Sequence, residues 1–185
     1  PENIKLLLNE EATFDNIRRG ILRWLGKRAE EKHTAIIYFS GHGGYGNDWD
    51  GDEEDGLDEY LLPYDTFLGD ESTGIVDDIF GYWLRQLSAG EIVVILDSCY
   101  SGDADRGLSF IGTARASREG ISRGFLNDLS VSRRNGKHNR AMVVMTSGDS
   151  NQEVAEEKRF KHGIFTYYLL EGLNGKADSN GDRRI

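Results

Sequence analysis

Three short apolar runs constrain this chain more than any other feature. Residues 34–40 read TAIIYFS, residues 91–98 read EIVVILDS and residues 141–147 read AMVVMTS. Each is rich in β-branched and aliphatic side chains and lacks the strict alternation of a half-exposed strand. Each therefore reads as a strand covered on both faces, the habit of parallel sheets. Segments of helical period lie between and around them. Residues 14–30 set Ile17, Ile21, Leu22 and Leu25 on one face, and Thr13 or Asp15 can cap the start. Residues 77–87 turn Ile79, Trp83 and Leu87 inward and begin with an Asp pair, a placement the helix dipole favours. Residues 163–173 read as a last helix, and IKLLLN at 4–9 as a further strand. Such alternation predicts an α/β domain with a largely parallel sheet and helices on both faces.

A chain of 185 residues is one domain by size and long enough to bury a core. No apolar run nears the roughly 18 residues of a membrane span. No signal peptide is visible and the first residue is Pro1, so a trimmed piece of a longer chain is expected. The single cysteine excludes an internal disulfide and fits a reducing compartment, so a cytoplasmic location is expected. A formal charge of −10 argues against nucleic-acid binding and favours cationic partners: a metal, or the Lys and Arg side chains of a substrate. Two segments break the alternation. Residues 47–78 carry thirteen Asp or Glu and no Lys or Arg; residues 103–140 carry seven Arg and one Lys against four acids, and read as a long basic linker.

In open parallel sheets, chemistry collects at the C-terminal ends of strands. Two of the predicted strands end in reactive groups: YFSGHGG puts His42 just past one, and LDSCYSG puts Cys99, the only thiol, just past another. If those strands are neighbours, the imidazole can take the thiol's proton or stabilise its thiolate. The backbone N–H groups of Gly43 and Cys99 could then form an oxyanion hole. Taken singly, a lone Cys reads more often as a buried hydrophobe and a His before Gly as a turn residue. Other thiol chemistries fit worse. A phosphatase loop needs Arg six residues after Cys, where Asp105 stands, and no Cys-x-x-Cys pair is present.

YFSGHGG, then DGDEEDGLDEYLLPYD, IVDD and VVILDSCYSG, in that order, closely resemble the caspase-like cysteine peptidases of clan CD, in particular the metacaspase branch with its prokaryotic members. The likeness runs over roughly residues 33–173. The animal caspase signature is Gln-Ala-Cys with its His about 50 residues upstream; here Asp-Ser precedes Cys99 and His42 lies 57 residues before it. The resemblance implies a three-layer αβα sandwich with a mostly parallel sheet, and a Cys99–His42 dyad. It also implies a pocket lined by Asp97 and Ser40 that selects Arg or Lys by a charge-assisted hydrogen bond. Asp97 could instead serve as a structural cap of a neighbouring turn. The family's calcium ligands map onto Asp58, Asp77 and Asp78, hard oxygen donors of the kind calcium takes. A fourth ligand position falls on Arg106, with Asp103 and Asp105 nearby. Neither DWDGDEEDG nor DSNGD has the glycine an EF-hand loop needs, and DSNGD reads as an acidic solvated turn.

The expectation is a single caspase-like peptidase domain. Its large-subunit-like part spans about residues 1–102, its linker about 103–140 and its small-subunit-like part about 141–185. It would cleave proteins after Arg or Lys, need no cofactor for the chemistry, respond to calcium and process itself in the basic linker. Expected partners are protein or peptide substrates and other parts of a larger protein, with no nucleic acid and no membrane. The rival reading is a non-catalytic, calcium-responsive or scaffold module that keeps the fold.

Overall fold

The computed structural model describes residues 2–51, 56–99, 141–147 and 163–184. The basic linker expected at about residues 103–140 lies outside the described residues.

Five strands form one mixed sheet. They are β1 (Thr34–Asn47), β2 (Leu57–Leu62), β3 (Ile75–Val76), β4 (Glu91–Cys99) and β5 (Ala141–Thr146), in the order β3-β2-β1-β4-β5. The three apolar runs read from the sequence are the three parallel strands β1, β4 and β5. Their ladders hold nine and six residue pairs, against six and two in the antiparallel ladders of β2 and β3. Parallel pairing therefore dominates the sheet, as expected. The antiparallel half was not anticipated. Part of the acidic segment, expected only to interrupt the alternation, folds as a hairpin arm that extends β1 well beyond its predicted end.

Helix α1 (Phe14–Arg19) runs on into a π-helical turn (Gly20–Leu25); α2 spans Asp77–Arg85 and α3 spans Ile164–Glu171. Thr13 is the cap of α1 and accepts from the Asn16 N–H at 3.3 Å, while Asp15 pairs with Arg18 and Arg19. Ile21 is buried, and Ile17, Leu22 and Leu25 pack against the core, as the periodicity predicts. Phe14 meets Trp83 edge to face at 5.5 Å between ring centroids, joining α1 to α2.

The core lies between these two helices and one face of the sheet. Ala35, Ile92, Val94 and Leu96 meet Ile21, Phe80, Trp83, Leu84 and Leu87 there. In α2 the expected inward residue Ile79 is instead 42% exposed, and Phe80 takes its place. The helix is rotated so that its largest apolar side chains, Phe80 and Trp83, share the buried face with Leu84 and Leu87.

Two more expectations are corrected. The parallel strands are not covered evenly on both faces. On the side away from α1 and α2, Ile36 is 62% exposed and Tyr38 47%; there α3 makes the third layer and touches Tyr38 through Thr166. Residues 4–8 form no strand, and Ile4, Leu6 and Leu8 point to solvent. A short apolar run becomes a strand only where a sheet edge pairs with it, and none of the five strands does.

Because the core is one-sided, apolar positions on the two faces should differ sharply in cost. Phe80→Ala should lower the unfolding free energy by about 3–5 kcal/mol. Ile36→Ala should stay within roughly 0.5 kcal/mol. Denaturant unfolding of both variants checks this; a large loss at Ile36 would mean that its face is buried.

Candidate active site

His42 lies where two ladders meet. β1 pairs in parallel with β4 from Thr34↔Glu91 to His42↔Cys99, and antiparallel with β2 from His42↔Leu62 to Asn47↔Leu57. His42 was expected just beyond the end of a strand; it sits within a 14-residue strand instead, because the hairpin carries β1 onward. Cys99, expected just beyond β4, is its last residue. The register sets their backbones directly opposite, about 5 Å apart at ordinary strand spacing. Two residues earlier it sets Ser40 opposite Asp97. Ser40 and His42 are exposed, and Gly43 is buried in the ladder opposite Leu61.

The end of β4 is held from both sides. β1 supplies one ladder; on the other side Ser147 N–H donates to Leu96 O at 2.9 Å and its hydroxyl donates to Ser98 O at 3.1 Å. Asp97 is 6% exposed and accepts a hydrogen bond from the Thr166 hydroxyl in the first turn of α3. The contact is between side chains and satisfies no backbone N–H, so it is not the cap of a neighbouring turn; it ties Asp97 to a helix 69 residues away. Neither Thr166 nor its neighbour Tyr38 stood out in the sequence. Nothing local to "GIFTYY" or "IIYFS" links them to Asp97, because the contact exists only once three elements meet.

The three expected metal ligands divide. Asp58 is 6% exposed on β2, and burial pushes its carboxyl up to about 7, with Asp48, Asp78 and Asp50 adding like-charge repulsion. Asp77 is buried at the start of α2 and accepts the Asp78 N–H at 3.0 Å. With burial leading, Asp58, Glu71 and Asp77 also push the Tyr60 phenol up. Asp48, Asp50 and Glu71 were missed as individuals, although the acidic excess of their segment was plain. Glu71 ties the hairpin down, accepting from Asn47 Nδ2 at 2.8 Å and Trp49 Nε1 at 2.7 Å. Gly46 is needed beside them, because a Cβ there would strike the Tyr60 ring.

A cavity of about 760 Å³ opens here, lined by Phe14, Trp49, Asp58, Tyr60, Glu71 and Asp78 among others; Ser40, His42 and Asp97 do not line it. Among the described residues, no group of three or more acidic, His or Cys side chains is arranged to hold a metal ion. The donors are hard oxygens suited to calcium in kind, gathered by the fold but not closed round one point. The DSNGD segment is an exposed turn, as expected, wound on Asp178, which accepts the Gly181 N–H at 2.7 Å.

The strained acidic cluster predicts a pH dependence. With its pKa raised from 3.8 to about 7, Asp58 holds a proton in the folded state that the unfolded chain has lost. The contribution of Asp58 to stability should therefore be fully present below the ordinary carboxylate range and be lost as pH rises toward and through 7. The loss is on the order of 2–4 kcal/mol, the lower figure allowing for solvent at the cavity. In chelator, Asp58→Asn should gain on the wild type at pH 8 relative to pH 5 in denaturant unfolding. An equal difference at both values would mean that the cluster is not strained.

The metacaspase, peptidase C14 domain family matches residues 2–105. Metacaspase-1 of Pyricularia oryzae is 42% identical over 96 residues, 51% of this chain and 23% of that protein. Metacaspase-1B of Aspergillus fumigatus is 43% identical over 94 residues, 50% of this chain and 22% of that protein. The chain thus aligns with less than a quarter of the length of these relatives. A crystal structure of a Geobacter sulfurreducens protein superposes with a TM-score of 0.60, covering 92% of this chain and 65% of that one at 21% identity, a likeness of fold. With half the chain matched by the family and an α/β sheet whose β1–β4 ladder closes on the pair His42 and Cys99, the chain belongs to the metacaspase family, peptidase C14.

Proposed function

We propose that this chain carries the catalytic core of a cysteine endopeptidase that cleaves proteins after Arg or Lys. The observation that carries the reading is the β1–β4 register, with His42 opposite Cys99 and Ser40 opposite Asp97. Cys99 attacks the scissile carbonyl carbon, forming a C–S bond as the carbonyl oxygen takes the negative charge. His42 gives its proton to the leaving amine and then takes one from the water that hydrolyses the thioester. The N–H groups of Cys99 and Gly43 are the expected donors to the oxyanion. Asp97 and Ser40 receive the basic side chain of the substrate, where a carboxylate pairs with a guanidinium or ammonium.

A thiol nucleophile works reduced, which suits a reducing compartment such as the cytoplasm. Among the described residues no helix is long and apolar enough to cross a membrane. The same specificity would expose residues 103–140, with their seven Arg and one Lys, to self-cleavage; that segment lies outside the described residues. Calcium is the proposed regulator, with Asp58, Asp77 and Asp78 as its ligands. When bound, it supplies positive charge that offsets the repulsion round Asp58.

A fluorogenic Arg peptide tests the dyad. Cys99→Ala and His42→Ala should each lower turnover by at least about a thousandfold, and the double variant little further, since the two act as a unit. Turnover retained in Cys99→Ala would eliminate the dyad mechanism, and a wild type without turnover would leave the scaffold reading. Asp97→Ala should cost Arg and Lys peptides about a hundredfold or more, the usual penalty for leaving a buried ion without its partner. Cleavage after Asp by the wild type would sink the specificity.

Calcium is tested separately. Activity should rise with millimolar calcium and fall with chelator, and Asp58→Asn should shift that response while the dyad is intact. Equal activity in calcium and chelator would reduce the cluster to an acidic surface.

A further inference from the structure

Three polar side chains from three elements form a line on the α3 side of the sheet. The Thr166 hydroxyl donates to a carboxylate oxygen of Asp97. Tyr38 Oη lies 2.7 Å from Thr166 Oγ1. A hydroxyl has one proton, and that of Thr166 is given to Asp97, so the Tyr38 hydroxyl donates to Thr166. The line therefore has one direction, from Tyr38 through Thr166 to the carboxylate. Thr166 is 8% exposed and Asp97 6%, so water competes weakly for either. Gly163, the residue before α3, lies so close that a Cβ there would overlap the Asp97 carboxylate. The helix start thus approaches Asp97 as nearly as a bare backbone permits. Tyr38 also precedes Ser40 by two residues on β1, and Ser40 is the ladder partner of Asp97.

The torsion that turns a carboxylate about its Cβ–Cγ bond has broad, shallow wells, so burial alone does not choose its plane. A fixed donor does. The plane matters unequally to the two basic side chains. A guanidinium is a flat fork that meets a carboxylate best when the two are coplanar, whereas an ammonium is a compact charge with rotatable donors.

We propose that Thr166, oriented by Tyr38, is a positioning residue of the specificity pocket, fixing the plane of the Asp97 carboxylate so that the pocket favours Arg over Lys. This rests on the reading of Asp97 as the group that meets the substrate's basic side chain. If Thr166 merely anchors α3, its loss disturbs Arg and Lys substrates alike. If it sets the plane, its loss falls on Arg.

The test is kcat/KM on paired Arg and Lys peptides, in the full-length protein. Thr166→Val keeps the shape and removes the hydroxyl. It should lower the Arg value about ten- to a hundredfold, the scale of a lost hydrogen bond to a charged group, and the Lys value several-fold less. The Arg-to-Lys ratio then collapses. Thr166→Ser should restore the ratio. Tyr38→Phe, at a half-exposed position, should lower it part of the way, and it serves as the reading if Thr166→Val does not fold. A ratio unchanged in both Thr166→Val and Tyr38→Phe overturns this inference and leaves the Arg or Lys specificity standing. A wild type with no preference for Arg or Lys overturns the specificity and this inference together.

Discussion

The parallel pairing of β1 with β4 is the constraint on which the rest depends. Its nine pairs run from Thr34↔Glu91 to His42↔Cys99. The alternating burial of Ile92, Val94 and Leu96 on β4, answered by Ala35, Ile37 and Phe39 on β1, holds that register. A slip of one residue would send this set to the opposite face and bring His42 opposite Ser98. The cost of exposing several core side chains, roughly 1.5–3 kcal/mol each, is what keeps the histidine and the cysteine level. The alignment of the candidate catalytic pair is thus maintained by packing up to seven residues away.

The sheet is asymmetric, and its two faces have different neighbours. One face meets α1 and α2 and supplies the core. The other carries Tyr38 and meets α3 through Thr166. A buried carboxylate such as Asp97 needs a donor, and Thr166 provides one. The same hydrogen bond that ties a late helix to the sheet also orients a group that a substrate cation could meet. The fold and the proposed specificity share one contact there.

The hairpin end follows a different balance. Asp58 is buried among like charges, which costs free energy at neutral pH. The fold tolerates this because the segment is pinned by Glu71 to Asn47 and Trp49, and because Gly46 leaves room for the Tyr60 ring. A region held under electrostatic strain by hydrogen bonds and packing is one that protons or a cation can influence strongly.

The sequence by itself determined the three parallel strands, the helical segments, a thiol at the end of a strand, and the acidic character of residues 47–78. These are local properties: runs of β-branched residues, helical spacing, residue identity. The family likeness was equally legible, since its motifs are contiguous stretches. What only the tertiary structure decided depends on which elements meet. Residues 4–8 are apolar enough for a strand yet lack a sheet edge, so they form none. Phe80 and not Ile79 enters the core, because α2 turns its largest rings toward the sheet. His42 is carried inside a strand by a hairpin partner. Thr166 reaches Asp97 across 69 residues, and Asp48 and Asp50 join Asp78 against Asp58. Burial and hydrogen bonding act between surfaces brought together in space, and no local stretch of sequence contains that information.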